Sequence, residues 1–465
     1  MFIERWYQLL KPNGLLGVVL PESIFDVSEN KPIRIFIYKY FEILAIVSMP
    51  TLTFEPYTST KTSLLFARKR TIEEINKFQD LWRKSSNKFA RLKTRINNIK
   101  KICNDKILLK KYEKKEGKSV EIIKDYLGSY FDDHDYNKGI ANILEIYKNE
   151  VAEVGKNRDW WVFADVSKDI DYDIPMAYVN EIGYRRLIRS IQPRPNELMQ
   201  YKEIDGKKEI KIDTDKPKTA LDWLRSNKNL INKNWFTIKF SEISNHFSLR
   251  MNIPYYQFIK FELEKGIKEL PYKTKPLRES LFSIRNGKDV KKEHYSLEET
   301  EYVYVLVNNI RKDGFNRNKI VYLQPSKGAE LEKYRLTEGD IIINRSIDVG
   351  ISYCFDIEDE KIYIPCGFLM IVRLEDGFDP SVVQHLLNTD FLQTYFHRHS
   401  TGKIQKSITQ PDVKKTPILD IDKDLQEQLS KKLKKERENI ISYKKGIYEA
   451  INNIDEIILL KQKTL

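Results

Sequence analysis

The side chains best suited to chemistry in this sequence are cationic and amide groups in roughly its last 180 residues. Reading bases in a DNA groove requires fork-shaped donors and carboxamides on a rigid scaffold, with Arg suited to guanine and Asn or Gln to adenine. The candidates for base contacts are Asn308, Asn309, Arg311, Asn344, Arg345, Lys403 and Gln405. The candidates for phosphate contacts, which position a protein on DNA without specifying a sequence, are Lys288, Arg335, Lys406 and Ser407. Because any one of them alone is more often an ordinary surface residue, we treat them as a set.

The elements that must hold these side chains are short strands bounded by turns. Glu338 to Asp340 predicts a tight turn, and the β-branched run Ile341 to Ile343 predicts a buried strand that ends in polar and basic residues. Leu281 to Ile284 predicts a strand that leads into the basic segment Arg285 to Lys288. Tyr302 to Val307 alternates as a further strand.

The order of these elements resembles the target-recognition domain of Type I restriction–modification specificity subunits. That family has a Gly-Asp turn before a hydrophobic strand and Arg or Ser, a later strand, a Gly-centred basic loop, and a Pro–Ile segment before a long helix. The corresponding segments here are Gly339 to Ser346, Tyr363 to Arg373, Thr401 to Ile408 and Lys415 to Ile418. The resemblance covers roughly the last 190 residues, and it implies that residues 271–420 form a mixed α+β recognition domain for double-stranded DNA.

The C-terminal region predicts one long helix with a coiled-coil seam. Apolar residues recur at steps of three, four and seven, at Leu425, Leu429, Leu433, Ile440, Ile447, Ile451, Ile454 and Ile458. Specificity subunits use such helices as spacers between two recognition domains, but this sequence contains one such domain and no internal repeat. We therefore expect residues 421–465 to be a spacer or dimerisation helix that binds a second copy or a methyltransferase subunit.

The first seventy residues predict an α/β layer. Leu15 to Leu20 is a continuous apolar run, which is typical of a strand buried on both faces of a parallel sheet. Ile43 to Met49 and Ser63 to Ala67 predict two more strands, and a helical segment separates the first two. Residues 71–270 predict a mostly helical connector that begins with a basic helix, whose charged face either lies along phosphates or is simply solvated.

Two segments in this layer resemble adenine-N6 DNA methyltransferases of the modification-subunit type. They are Leu10 to Pro21, with its Lys-Pro-x-Gly before a strand, and Met49 to Ser63. In that family both lie in the C-terminal half of the catalytic domain. The resemblance implies that residues 1–70 are the C-terminal part of a methyltransferase fold, with a partial Rossmann-like sheet. The expected fold class is then α/β in this part, joined to the α+β recognition domain and the coiled-coil helix.

The residues that would carry methyl transfer in that family are missing from this sequence. No two glycines stand two apart, and no two prolines are adjacent. The S-adenosylmethionine loop and the Asn-Pro-Pro-aromatic motif, which holds a flipped adenine, are therefore absent. We expect no catalytic, cofactor or metal residue in this chain, and S-adenosylmethionine is implied only for a complete enzyme. Either another polypeptide supplies the front half, or the chain is a fragment.

Composition favours a polyanionic partner and an intracellular setting. The net charge of +13 and pI of about 9.1 suit nucleic acid, although Lys-rich solvated helices could produce the same excess. Three cysteines without a Cys-x-x-Cys pair predict a reducing cytoplasm, with neither disulfides nor a zinc finger. No apolar run is long enough to span a bilayer.

Several weaker patterns were weighed against these. The segment Phe131 to Asp135 and the trio Asp205, Glu209 and Lys211 superficially suggest a nuclease, but a loop and a hairpin explain them better. His397 and His399 lack a third ligand, so a solvated helix end is expected there. Tyr184, Arg185 and Arg186 follow the methyltransferase-like part and could touch a DNA backbone, although an ordinary hairpin with exposed arginines is the more frequent outcome.

Three functions remain open from the sequence. The leading hypothesis is a non-catalytic, sequence-specific DNA-binding component of a restriction–modification or phage-defence system. The second is an adenine-N6 methyltransferase whose catalytic half lies elsewhere. The third is a decoy that occupies a specificity-subunit interface without binding DNA.

Overall fold

The computed structural model divides the chain into two units. The structure describes residues 2–104 and 157–436, except 52, 56, 187–189, 271, 313, 358 and 403–405, together with 438, 439, 442 and 443. One unit comprises Met1–Lys268 with Thr401–Lys406, and the other Glu269–Ser400 with Ser407–Leu465. Within the described part of the chain, no helix is both long and apolar enough to cross a membrane.

The first unit is built on a mixed five-stranded sheet. Its strands are β1 (Leu15–Pro21), β2 (Phe41–Ser48), β3 (Thr62–Lys69), β4 (Asp173–Tyr178) and β9 (Trp235–Lys239). They lie in the order β1-β3-β2-β4-β9, and only β2 and β4 pair in parallel. The helices are α1 (Phe2–Leu9), α2 (Glu22–Asp26), α3 (Lys31–Tyr40), α4 (Ile72–Asn104), α5 (Arg158–Asp169), α6 (Ala220–Arg225), α7 (Ile253–Gln257) and α8 (Glu264–Lys268). The sheet therefore draws strands from well beyond residue 70.

Burial of aromatic side chains holds this sheet between two layers. On one face Tyr38, Phe163 and Phe240 are fully buried in a single cluster. On the other face Val47 and Trp223 belong to a smaller cluster that covers the β2–β4 half of the sheet. Aromatic residues supply most of this burial because each removes a large apolar area from water.

The position of β1 corrects the prediction of a strand buried on both faces. β1 pairs only with β3 among the described strands, and the pairing is antiparallel. Leu15 is 70% exposed and Val19 is 44% exposed, so one face of this edge strand meets solvent. An apolar run alone does not distinguish a central strand from an edge strand, since that depends on which neighbours pair with it.

Two separate β-hairpins follow β4, in the region where we expected mostly helix. They are β5 (Ile182–Arg186) with β6 (Ile191–Asn196), and β7 (Gln200–Ile204) with β8 (Lys207–Lys211). Every residue of β7 except Gln200, and every residue of β8, is exposed.

The second unit contains two four-stranded sheets and two short ribbons. One sheet has the order β11 (Leu281–Asn286), β20 (Leu369–Leu374), β17 (Ile341–Asn344) and β18 (Ser352–Cys354). The other has the order β12 (Tyr295–Ser296), β16 (Val321–Leu323), β13 (Tyr302–Val305) and β19 (Ile362–Pro365). The ribbons are β10 (Thr274–Pro276) with β21 (Pro417–Leu419), and β14 (Ile310–Arg311) with β15 (Gly314–Phe315). The helices are α9 (Pro325–Leu331), α10 (Pro380–Leu387), α11 (Asp390–His399) and α12 (Gln410–Lys414).

One hydrophobic cluster joins the two sheets of this unit. It includes Tyr302 and Ile364 from one sheet, and Ile342, Tyr353 and Ile371 from the other. The strands predicted from the β-branched run and from the alternating segment are both confirmed as β17 and β13. Together they form a rigid platform from which loops can project.

The C-terminal helix is only partly described. Residues 423–436 are helical, and the first three seam residues, Leu425, Leu429 and Leu433, are neither fully buried nor fully exposed. Ile440 and the later seam residues lie outside the described residues, so the coiled coil stays a prediction.

The edge position of β1 predicts a low cost for a charge on its open face. Leu15→Lys is expected to change the free energy of unfolding by less than about 0.5 kcal/mol, because the side chain is already mostly in water. Leu65→Ala, at a buried position of β3, should lower it by about 2–5 kcal/mol. Urea denaturation measures both, and an equal loss in the two variants would show that this face of β1 is covered rather than open to solvent.

Candidate nucleic-acid interface

The turn before β17 is built around the fully buried carboxylate of Asp340. Gly339 has φ +81°, a conformation that favours glycine, so the predicted turn is confirmed. The Asp340 Oδ2 accepts from the Thr337 backbone N–H at 3.0 Å and from the Thr337 hydroxyl at 3.2 Å. The Asp340 backbone N–H donates to the Thr337 carbonyl at 3.0 Å. The turn is therefore closed by one side chain that bonds to its own loop.

The same carboxylate locks β17 to β20. Arg373 on β20 donates from Nε to Asp340 Oδ1 at 2.8 Å and from Nη2 to Oδ2 at 3.0 Å. This hydrogen bonding raises the pKa of Arg373, so the guanidinium stays charged. A buried carboxylate is costly unless it is paired and hydrogen-bonded, and this one is satisfied by both kinds of contact.

Strand β17 leads to Arg345, one of the predicted base readers. The Arg345 backbone N–H donates to Phe368 O at 2.9 Å, and its carbonyl accepts from the Ile408 N–H at 3.0 Å. The backbone is thus held on both sides while the side chain remains partly exposed. Among the residues that the structure describes, none forms an ion pair or hydrogen bond with its guanidinium.

Lys288, the second cation, follows strand β11 and is separated from it by Gly287. A Cβ on Gly287 would lie 2.2 Å from Cys366 O and 2.3 Å from Pro365 O, so only glycine permits this approach. The Lys288 N–H donates to Pro365 O at 2.9 Å, which fixes the backbone. The Lys288 side chain is exposed and makes no ion pair within the described ranges.

Lys288 and Arg345 follow the carboxyl ends of strands that lie on either side of β20. Asn286 of β11 is opposite Met370, and Asn344 of β17 is opposite Leu369, so both strands end beside the start of β20. We call this end of the sheet the basic edge and define it by Lys288, Arg345 and Phe368. The Asp289 carboxylate packs against Gly367, next to Phe368, and Asp348 is close in sequence to Arg345. Neither acid forms an ion pair with Lys288 or Arg345.

The basic edge also contains residues that the sequence analysis did not select. Phe368 is 46% exposed, and Ile347 is 58% exposed with φ +70°. Positive φ is unfavourable for a β-branched residue, and such strain is concentrated at functional sites. The Asn286 carboxamide accepts from Gln410 Nε2 at 3.0 Å, which ties α12 to the end of β11. No local sequence signal marks Ile347, because its conformation depends on the strands on either side of the loop.

Two of the asparagines that we predicted to contact bases lie inside the second unit instead. Asn309 is 2% exposed, and its carboxamide bonds to the backbone of Leu306, Asn316 and Lys319. Asn344 is fully buried, and its carboxamide has no hydrogen-bond partner among the described residues. Neither side chain is placed to reach a base edge.

The remaining candidates are spread over other surfaces. Asn308 and Arg311 are exposed beside the β14–β15 ribbon. Arg335 forms a surface ion pair with Glu332, with a nitrogen–oxygen distance of 3.5 Å. Ser407 forms a β-bridge with Ser346. Lys406 groups with the first unit, and Lys403 and Gln405 lie outside the described residues.

The residues that superficially suggested a nuclease or a metal site are not arranged as such a site in the described part of the chain. Glu209 and Lys211 lie on β8 and Asp205 in its turn, all three exposed, as a hairpin requires. His399 does end a helix, but it is buried and stacked on Tyr395 with a centroid distance of 3.9 Å, which corrects the prediction of a solvated end. Across the described ranges, no group of three or more His, Cys, Asp or Glu side chains could hold a metal ion. Phe131 to Asp135 lies outside them.

Comparison with known proteins shows partial similarity to restriction–modification structures. No protein-family model and no curated protein matches the chain. A Type I restriction–modification S subunit from M. genitalium is 15% identical over 32% of this chain and 34% of that one, with a TM-score of 0.23. The HsdS subunit from Thermoanaerobacter tengcongensis is 16% identical over 37% of this chain and 40% of its own, with a TM-score of 0.28.

A longer similarity involves a restriction enzyme. The type IIG restriction endonuclease BpuSI is 10% identical over 93% of this chain and 43% of its own, with a TM-score of 0.34. The chain therefore spans less than half the length of each of these solved structures.

The Asp340–Arg373 pair predicts a moderate loss of stability when its charge is removed. Asp340→Asn keeps the shape of the buried side chain but weakens its charge-assisted bonds to Arg373, whose side chain is 41% exposed and can be hydrated. The free energy of unfolding should fall by about 1–2 kcal/mol. Glu332→Gln, an acid-to-amide change in the exposed pair with Arg335, should cost less than about 0.5 kcal/mol. Thermal or urea denaturation compares the two variants. Equal stability would show that the buried pair does not hold the sheet together.

Proposed function

We propose that the chain is a sequence-specific DNA-binding, target-recognition component of a restriction–modification or related phage-defence system, and that it does not catalyse a reaction alone. The observation that carries the proposal is the basic edge. Two cations without an ion-pair partner among the described residues lie at one end of a rigid sheet, on backbone that is hydrogen-bonded in place. Such an arrangement suits a polyanion, because no internal acid has to be displaced when a phosphate or base binds.

The two cations receive different roles in this proposal. Arg345 has a planar fork of donors that can bond two acceptors of guanine, and it projects from a strand fixed by Asp340. Lys288 is a point charge on an exposed turn and serves as a phosphate contact. Asn308 and Arg311 stay in the set as further DNA contacts, whereas Asn309 and Asn344 are left out because they are buried.

The partners proposed are double-stranded DNA and, through the C-terminal helix, a methyltransferase subunit or a second copy of the chain. Partial exposure of Leu425, Leu429 and Leu433 supports an unpaired seam at the start of this helix. A paired helix would set the spacing between two half-sites. No cofactor is proposed for this chain, and S-adenosylmethionine would belong to the complete enzyme.

Selection of bound duplexes from a random pool, with and without the neighbouring gene product, tests the proposal directly. In the selected duplex, Arg345→Ala should cost about 1–3 kcal/mol of binding and relax preference at one base pair. Lys288→Ala should weaken binding to all duplexes alike and lower the slope of log K against log salt by about 0.9.

Lys327→Ala is the matched control, since it removes one positive charge that is already paired with Glu330 at 2.7 Å. It should leave the affinity and the salt slope nearly unchanged. If the two basic-edge variants behave like this control, the basic edge is not the recognition surface. If the unaltered chain ignores duplexes even in dilute salt, the decoy hypothesis replaces the proposal.

A second candidate function is supported by the unpaired edge of β1. Among the described strands β1 pairs with β3 alone, so its other backbone edge is able to accept another strand, as the edge of an incomplete sheet would. On this hypothesis the chain is part of an adenine-N6 methyltransferase whose cofactor-binding half is supplied by another polypeptide. Methyl transfer from S-adenosylmethionine to duplex DNA should then be absent with the chain alone and appear when a polypeptide with the Gly-rich loop and Asn-Pro-Pro-aromatic motif is added. Transfer by the chain alone would contradict both proposals.

A further inference from the structure

The β5–β6 ribbon of the first unit carries a uniform positive charge. Residues 182–196 include Arg185, Arg186, Arg189 and Arg194, with no Asp or Glu among them. Arg185 and Arg194 are both exposed. Within the described residues, Arg185 has no ion pair or hydrogen bond, and Arg194 donates only to Gln192 Oε1 at 3.4 Å.

The neighbouring β7–β8 ribbon shows that exposure alone does not produce this charge pattern. Residues 200–211 combine four lysines with three acids, and Lys202 faces Glu209 across the ribbon with a nitrogen–oxygen distance of 3.9 Å. A hairpin that binds no partner is kept soluble by charges of both signs, because they avoid repulsion between like charges. The β5–β6 ribbon instead accumulates like charges, which is unfavourable unless an anion neutralises them.

Two arginines of the β5–β6 ribbon, Arg185 and Arg194, lie on the same side of it. Residues directly opposite in an antiparallel pair share a face, so Arg185 lies with Gln192, and Tyr184 lies with Pro193 on the other side. Arg194 lies in a β-bulge opposite Gly183, where strict alternation does not apply. Its guanidinium donates to the Gln192 side chain at 3.4 Å, which places it beside Gln192 and on the same side as Arg185. We call the surface formed by Arg185, Gln192 and Arg194 the donor face.

The ribbon is anchored at its base, so the donor face is held in place. An isolated two-stranded hairpin is only marginally stable in water. Here the Tyr184 hydroxyl donates to Thr53 O at 3.3 Å, and the Glu197 N–H donates to Glu181 O at 2.9 Å. The carboxylate of Glu197 accepts from the Asn180 N–H at 2.7 Å, so it is committed to the base of the ribbon.

We propose that the donor face of the β5–β6 ribbon binds the phosphate backbone of duplex DNA and adds affinity that does not depend on sequence. The inference rests on the proposed function, in that duplex DNA is the ligand. Guanidinium groups form strong, charge-assisted bonds with phosphate, and a two-stranded ribbon is narrow enough to lie at a major groove about 12 Å wide. The donor face has no apolar centre of the kind that a protein partner would bury, which favours DNA over an acidic protein.

The test compares two double variants of the full chain that lose the same number of charges. Arg185→Ala with Arg194→Ala removes the donor face. Lys207→Ala with Lys211→Ala removes two exposed lysines from the β7–β8 ribbon and serves as the control. Both should melt like the unaltered chain, because all four side chains are exposed.

The donor-face variant should lose about tenfold or more in affinity near 0.15 M salt, equally for a selected and a scrambled duplex, with the salt slope reduced by about 2. The control should keep its slope. The proposal is wrong if the donor-face variant behaves like the control, if only single-stranded binding falls, or if the loss is confined to the selected duplex.

These outcomes separate this proposal from the recognition function. A chain that binds duplexes without sequence preference, and is unaffected by Arg345→Ala, would overturn the recognition function while leaving the donor face intact. A chain that prefers the selected duplex, and whose donor-face variant keeps its affinity and salt slope, would overturn the donor-face proposal and leave the recognition function intact. A chain that binds no duplex would overturn both.

Discussion

A single buried carboxylate connects two strands of the second unit. Asp340 would be strongly unfavourable in the interior without partners, so the turn at Thr337 and the guanidinium of Arg373 have to be in place around it. Because Arg373 lies 33 positions further along the chain, the pair connects two strands that local sequence does not connect. Once β17 and β20 are in register, the positions of Arg345 and Phe368 follow from their backbone hydrogen bond.

The basic edge depends on this register and on a second close approach. Strand β20 serves as the template for both β11 and β17, so the residues that follow these two strands come to the same end of the sheet. Gly287 allows the backbone before Lys288 to lie against Pro365 and Cys366, where any side chain would collide. Rigid backbone and free cationic side chains are the combination that recognition needs, because little ordering entropy is then lost on binding.

The positive charge of the chain is distributed in two different ways. Some of it is paired on the surface, as in Lys88 with Asp165 and Lys327 with Glu330, and such pairs add little to affinity for an anion. Other cations, at the basic edge and on the donor face, have no acidic partner in the described part of the chain. Net charge suggested a polyanionic partner, and the grouping of unpaired cations at these two places is the basis on which we propose the surfaces that meet it.

Local features follow from residue type and short-range spacing: the glycine turn before Asp340, the β-branched strand after it, and the cations that follow two strands. They can be read directly from the sequence. The burial of Asn309 and Asn344, the strain at Ile347, the edge position of β1 and the stacking of His399 depend instead on tertiary contacts. Burial and strand pairing arise from contacts between residues far apart in the chain. Side chains of the same type can therefore lie either on the surface or in the interior.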